Sequence, residues 1–234
     1  PTLRFFGWKR PTVSIGYFQE LQQEINFESC RLNSIDVVRR MTGGKAVYHC
    51  DEETYSLTAT KAEKSFPDSI SKTYEIISRC LARGLSYLGI TSHLAGSDAD
   101  GSGKKRPMSP CCFSVPSGNE LMVDNRKICG SAQIRMQGGF LQHGSLLLTF
   151  DPQKSAALIR EPQPVKELRS CITAVNEILP VPLDAETVCS ALQKGFINEL
   201  NVDFQEGSLT NAEKTASRDL IRKYRSDAWR FHRK

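Results

Sequence analysis

Four segments of the chain carry residue types that could do chemistry. The first is Cys111-Cys112-Phe113-Ser114-Val115-Pro116, which follows the low-complexity stretch 95–110. That stretch reads as a mobile surface loop. A cysteine next to such a loop can be solvent-accessible and reactive, whereas a buried one is inert. Local sequence does not say which of the pair would face a site, and two packing cysteines at a strand start is the commoner arrangement. The second segment is Arg39-Arg40-Met41-Thr42-Gly43-Gly44-Lys45-Ala46-Val47-Tyr48-His49. Adjacent glycines between two strands let backbone N–H groups approach a ligand, and Arg40 and Lys45 would favour an anionic one. A glycine hairpin with solvated basic flanks fits the spacing equally well. The third is Asn125-Arg126-Lys127-Ile128-Cys129-Gly130-Ser131-Ala132-Gln133, where small residues make room beside a lysine. The fourth is Gln142-His143-Gly144-Ser145, whose histidine is a candidate base, although a lone histidine is more often structural. Asp51-Glu52-Glu53 reads as a solvated acidic turn.

Several function classes are disfavoured. The 234 residues are 39% apolar and 24% charged, an ordinary soluble balance. No apolar run approaches the roughly 20 residues that span a bilayer. Eight cysteines are scattered, with no C-x-x-C and no Cys/His set at zinc spacing, so most are expected to be reduced and no metal site is expected. The net charge of +5 is spread without a basic run or aromatic stripe, which argues against nucleic acid and suits acidic protein partners. Residues 1–6 lack a signal-peptide pattern, so a cytoplasmic location is the expectation.

The elements that must position these segments read as strands first and helices later. Residues 3–6, 13–17, 37–40, 46–49 and 55–59 are short β-prone runs. Ile70, Tyr74, Ile77, Leu81, Leu85 and Leu88 form one helical stripe, ended by Gly89. Residues 120–124 and 127–135 suggest a hairpin turning at Asn125, and 140–150 a strand broken at Gly144. Helices are expected at about 165–178, 184–200 and 210–224. The class is α+β: a mixed β-sheet body flanked by helices, with a helical part from about 151 to 234.

Taken together, these motifs resemble a known family. Arg39-Arg40-x-Thr42-Gly43-Gly44-x-Ala46-Val47-x-His49, Thr54-Tyr55-Ser56, Asn125-Arg126-Lys127-Ile128-x-Gly130-Ser131-Ala132-Gln133 and Gln142-His143-Gly144-Ser145 look like the signature of the lipoate–protein ligase and biotin ligase catalytic domain superfamily. Phe6-x-Trp8, Ser14-x-Gly16-Tyr17-Phe18-Gln19 and the tail Lys223-Tyr224-x-Ser226-Asp227-x-Trp229-x-Phe231 extend the resemblance over nearly the whole chain. Within the superfamily, Cys112-Phe113-x-x-Pro116-Ser117-x-x-Glu120-Leu121, ahead of Lys127, most resembles the cysteine-dependent octanoyltransferases of the type common in Gram-positive bacteria. Cys50 and Lys45 depart from the more usual Asp and Arg.

The resemblance implies a single catalytic domain over 1–234 with the class II synthetase-like ligase fold, and a further helix ahead of Pro1. It implies Cys112 as the acyl-thioester nucleophile, with Lys127 lowering its pKa. Arg40, Thr42, Gly43, Gly44, Lys45, Ala46, His49, Ser131, Ala132, Gln133 and His143 are the implied substrate contacts. No cofactor would be resident, since phosphopantetheine arrives on octanoylated acyl carrier protein. The acceptor would be a lysine of a lipoyl domain such as the glycine-cleavage H protein. The alternatives are an ATP-dependent lipoate–protein ligase, an amidotransferase between lipoyl domains, and a non-catalytic binder.

Overall fold

The computed structural model describes residues 1–95 and 120–231. Cys111, Cys112 and the expected mobile loop beyond Ala95 lie outside the described residues. In chain order the elements are β1 (Thr2–Phe6), β2 (Thr12–Ile15), α1 (Leu21–Glu24), α2 (Phe27–Leu32), β3 (Asp36–Arg39), β4 (Val47–His49), β5 (Glu52–Thr60) and α3 (Ile70–Ser86). There follow β6 (His93–Leu94), β7 (Leu121–Val123), β8 (Arg126–Met136), β9 (Gly139–Leu147), α4 (Pro152–Ala157), α5 (Val165–Cys171), α6 (Val175–Ile178), α7 (Ala185–Leu200), α8 (Asn211–Arg225) and α9 (Asp227–Phe231). The order is that of an α+β protein, as the sequence implies.

Among the described residues, six strands form an antiparallel sheet in the order β1-β5-β9-β8-β7-β6. A second sheet has the order β3-β2-β4, with β2 parallel to β3 and antiparallel to β4. Alternation in β5 turns Tyr55, Leu57 and Ala59 toward the helices, where they meet Ile77, Leu81, Val188, Leu192 and Phe196 of α3 and α7. Each large apolar side chain buried there contributes on the order of 1.5–3 kcal/mol. Ile70, at the start of α3, stays 57% exposed and lies outside the packed stripe. The second sheet has its own core, in which Val13 and Ile15 pack with Leu21, Ile25 and Leu158. No helix among the described residues is long and apolar enough to cross a membrane.

Three sequence expectations change. β9 runs unbroken from Gly139 to Leu147. A side chain at Gly144 would collide with Ser131 Oγ and the Tyr55 ring, so the glycine gives clearance rather than a break. The helix expected over 165–178 splits, because Ile172 takes an extended conformation and bridges Lys127, and Thr173 N–H donates to the Lys127 carbonyl (3.0 Å). Sheet pairing there overrides helix propensity. Residues 40–46 are not a hairpin, since β3 and β4 pair with opposite edges of β2 and the glycine segment crosses between them.

Arg39 ties the turn after β2 to α9. Its buried guanidinium donates to the carbonyls of Gly16, Tyr17 and Gln19 and to those of Trp229 and Arg230, at 2.7–3.2 Å. Trp229 Nε1 returns a bond to the Arg39 carbonyl at 2.9 Å. Removing one charged donor leaves several carbonyls unsatisfied at once, each costing about 1–3 kcal/mol when buried. Arg39→Met should therefore lower stability by about 2–4 kcal/mol in urea unfolding, and a loss below about 0.5 kcal/mol would contradict this account.

Candidate active site

A cleft opens between the two sheets, with about 950 Å³ of empty space counting its mouth. One wall is the crossing segment between β3 and β4. Arg40 shapes it: Nη1 donates to the Ser14 carbonyl (3.0 Å), Nη2 to the carbonyls of Gly43 (2.9 Å) and Lys45 (2.7 Å). Burial lowers its pKa to about 10. Much of the guanidinium's donor capacity thus serves the loop itself rather than an incoming anion. Gly16 is dictated by the same crossing, because any side chain there would strike the Gly44 carbonyl.

The opposite wall comes from β8 and β9, and a bulge decides what it presents. Leu121 pairs with Cys129, but Met122 pairs with Lys127, so Ile128 is an extra residue in β8. Without it, Lys127 would share the helix-packed face with Cys129. The bulge sends Ile128 into the core and re-aims Lys127 into the cleft. Lys127 Nζ donates to Glu120 Oε1 at 2.6 Å, and both residues are under 10% exposed. Burial raises the Glu120 pKa, with the Lys127 charge and hydrogen bond opposing the shift. Glu120 Oε2 is buried without a hydrogen-bond partner among the described residues.

Behind the crossing segment lies a buried polar network. His49 Nδ1 meets Glu52 Oε1 at 2.8 Å, and His49 Nε2 meets Ser14 Oγ at 2.7 Å. Glu52 Oε1 also accepts from Trp8 Nε1, Thr54 and Ser145, at 2.6–3.0 Å. Burial alone would raise the Glu52 pKa, but the His49, Thr54 and Ser145 contacts outweigh it and the pKa is lowered. Glu53, the next residue, turns the other way toward α7, and burial and the Glu52 charge push it up to about 7. His143 also reaches the cleft, bonded through Nε2 to Thr42 Oγ1 (2.7 Å). Burial, then the Arg40 charge and the neighbouring His49, lowers its pKa to about 4, so it is neutral at physiological pH.

The structure brings together most of the residues singled out in the sequence. Arg40, Gly44, Lys45, Ala46 and His49 line one side; Lys127, Ser131, Ala132 and His143 line the other. Thr42, Gly43 and Gln133 do not line it. Thr42 is fully buried beneath His143, Gly43 has its carbonyl on Arg40, and Gln133 bonds to Gln142 on the helix-packed side of the sheet. Cys112 lies outside the described residues. Ser14, Ser145 and Glu120 were missed as site residues, and the acidic turn at Glu52-Glu53 is instead a buried strand start. Its signal was available, since the period-two pattern of Tyr55–Ala59 continues backward through Glu53.

A second cavity, of about 790 Å³, lies beyond Lys45–Val47 and is lined mainly by aliphatic groups such as Leu158, Ile159, Leu168 and Ile172. It holds neither Lys127 nor either cleft histidine, so the chemistry is assigned to the first. No group of His, Cys, Asp and Glu among the described residues has the arrangement of a metal site.

Solved structures share this architecture. Lipoate–protein ligase A bound with ATP matches with a TM-score of 0.81 at 25% identity, covering 99% of this chain and 86% of that one. A bipartite lipoate–protein ligase from Thermoplasma acidophilum, determined in a study of that ligase and its E2 lipoyl domain, matches with the same TM-score and identity over 99% and 84%. The fold is thus that of the lipoate–protein ligases. The family model for the lipoyl protein ligase A/B catalytic domain matches residues 1–197. Octanoyltransferase LipM of Kyrpidia tusciae is 38% identical over 240 residues, spanning 100% of this chain and 88% of that protein. Its Bacillus subtilis counterpart is 35% identical over 242 residues, spanning 100% and 87%. The chain belongs to the lipoyl protein ligase A/B catalytic domain family.

The Glu53 shift has a pH signature. A carboxyl whose folded pKa is raised from 4.5 to about 7 favours folding below 4.5 and loses that contribution as pH rises through 7. Glu53→Gln keeps the protonated shape at every pH. It should be about 1–3 kcal/mol more stable than the parent at pH 8 and within about 0.5 kcal/mol of it at pH 4.5. Urea unfolding at both pH values checks this, and an equal effect at the two would contradict it.

Proposed function

We propose that this protein is an octanoyltransferase of lipoate assembly, with residues 1–234 acting as one catalytic unit in the cytoplasm. The observation that carries the reading is that relatives 35–38% identical over 98–100% of the chain are octanoyltransferases. In this reading octanoylated acyl carrier protein brings the acyl group on phosphopantetheine, and no resident cofactor takes part. The net charge of +5 suits acidic partners.

Cys112 is the proposed nucleophile. A free thiol of pKa about 8.5 is only a few per cent thiolate at neutral pH. A lysine ammonium within a few ångströms lowers that pKa by about 1–3 units. Lys127 sits in the cleft with its charge partnered and its position set by Glu120, which fits this role. The thiolate attacks the acyl-pantetheine carbonyl, the pantetheine thiol departs, and octanoyl remains on Cys112. Backbone N–H groups near Gly44 or Ser131 would receive the oxyanion. Ala46, Val47 and Ala132 offer the acyl chain an apolar wall, with each buried CH₂ contributing about 0.8 kcal/mol. A lipoyl-domain lysine, such as that of the glycine-cleavage H protein, then takes the acyl group.

The likeness to an ATP-bound ligase favours a second reading, ATP-dependent ligation without a cysteine. One incubation with octanoyl–acyl carrier protein and no ATP separates them by intact mass. The transferase reading expects one octanoyl adduct, lost in Cys112→Ser and kept in Cys111→Ser. No adduct, together with ATP-dependent modification of a lipoyl domain, would overturn it.

A further inference from the structure

Three side chains of the cleft form a continuous line that the acyl-transfer scheme above leaves unused. Ser14 Oγ lies 2.7 Å from His49 Nε2, and His49 Nδ1 lies 2.8 Å from Glu52 Oε1. Each residue is at most 6% exposed. Ser14 and His49 line the cleft opposite Lys127, whereas Glu52 stands behind them. The line therefore opens at its Ser14–His49 end and is sealed at the other.

The partners fix its polarity. Glu52 Oε1 accepts from Trp8 Nε1 (3.0 Å), Thr54 Oγ1 (2.6 Å) and Ser145 Oγ (2.7 Å), the environment of an ionised carboxylate. In the neutral His49 tautomer whose Nδ1–H donates to that carboxylate, Nε2 is left to accept from Ser14. Arg40 Nη1 donates to Ser14 Oγ from another side at 3.2 Å, so the serine hydroxyl is directed into His49. The Trp8 indole stacks on the imidazole, with centroids 4.1 Å apart and planes within 15°, and holds the ring in plane with both partners. This is the order of a hydroxyl, a base and an orienting carboxylate.

An acyl thioester meeting a lysine ε-amine needs such a group. The ammonium has a pKa of about 10.4, so the attacking amine must shed its protons near neutrality. Lys127 is unsuited, because its own charge is needed beside the departing thiolate. His143, the other imidazole of the cleft, is bonded to Thr42 and pushed down to about 4, which leaves it a weak base.

We propose that Ser14, His49 and Glu52 are the proton acceptor for the aminolysis step, with Ser14 the member that touches the incoming lysine amine. The inference rests on the acyl transfer proposed above. In this step the lysine ammonium gives one proton to Ser14 Oγ while the Ser14 proton passes to His49 Nε2, and the neutral amine so formed attacks the thioester carbonyl. The C–N bond forms, the C–S bond breaks, and the sulfur leaves as thiolate beside Lys127. The remaining surplus proton on nitrogen passes to solvent. The resulting imidazolium is held against Glu52 and afterwards returns its proton to solvent.

The test loads the parent, Ser14→Ala and His49→Gln with octanoyl–acyl carrier protein and follows discharge of the isolated acyl-enzyme. One arm uses a lipoyl-domain lysine; the other uses hydroxylamine, an amine already unprotonated at neutral pH. General-base catalysis contributes about 10²–10⁴-fold, so lysine discharge in the variants should fall by about a hundredfold relative to the parent. Discharge to hydroxylamine should stay within about threefold, a difference that a merely structural role would not produce. Equal slowing of both nucleophiles, or lysine discharge within about fivefold of the parent, would overturn the inference. Where Ser14→Ala fails to fold, His49→Gln decides alone. A parent that never loads would instead overturn the acyl-transfer reading, and the inference with it.

Discussion

An ammonium group withdrawn from water is tolerated only with a counter-charge in hydrogen-bond reach, and the Lys127–Glu120 pair meets that condition at 2.6 Å. Removing one partner of a buried pair costs about 3–5 kcal/mol, because the survivor is left uncompensated. Much local structure serves this contact. The bulge at Ile128 turns the lysine inward, the β7–β8 hairpin returns Glu120 to it, and the Lys127 backbone bridges Ile172. Glu120 also limits what the lysine can do, since its carboxylate competes for the same charge that a thiolate would use. The pair is therefore a holder of the cation at a set place rather than a naked source of field.

The second sheet supplies what the first lacks. β2 presents Ser14, and the crossing segment between β3 and β4 brings His49 and the glycine wall over β8 and β9. Arg39 and Arg40, adjacent in sequence, divide the work of fixing this arrangement. Arg40 holds the crossing segment through its carbonyls, and Arg39 binds the C-terminal α9 to the turn after β2. Arg40, which the motif marks as a candidate anion ligand, thus acts largely on backbone oxygen, as its neighbour Arg39 does. In the buried polar network beneath them Glu52 Oε1 takes all of the carboxylate's hydrogen bonds, and Oε2 is buried without a partner among the described residues.

What could be read from the sequence was what local periodicity encodes. The α3 stripe from Tyr74 to Leu85, the α7 helix capped by Asp184, and the hairpin turning at Asp124-Asn125, both with positive φ, follow from spacing and turn chemistry. Most of the cleft residues were marked through the motifs, with Lys127 and His49 among them. The rest was hidden for physical reasons. A single-residue bulge reverses the face of Lys127, and no alternation pattern announces it. The Glu52–Ser145 contact spans 93 positions, so an acidic turn and a buried network look alike in one dimension. Gly144 reads as a strand breaker until Tyr55 and Ser131 are seen to occupy its space. Residues 165–178 have helical spacing, yet pairing with Lys127 draws Ile172 out of the helix.

The central claim is that the charge held at Lys127 makes the proposed nucleophile a thiolate near neutral pH. The most direct measurement is the pH dependence of Cys112 alkylation by iodoacetamide, read by peptide mass in the parent and in Lys127→Met. The account predicts a parent midpoint below the roughly 8.5 of a free thiol, rising by about 1–3 units in the variant. A parent midpoint at or above 8.5, or the same midpoint in both proteins, would contradict it.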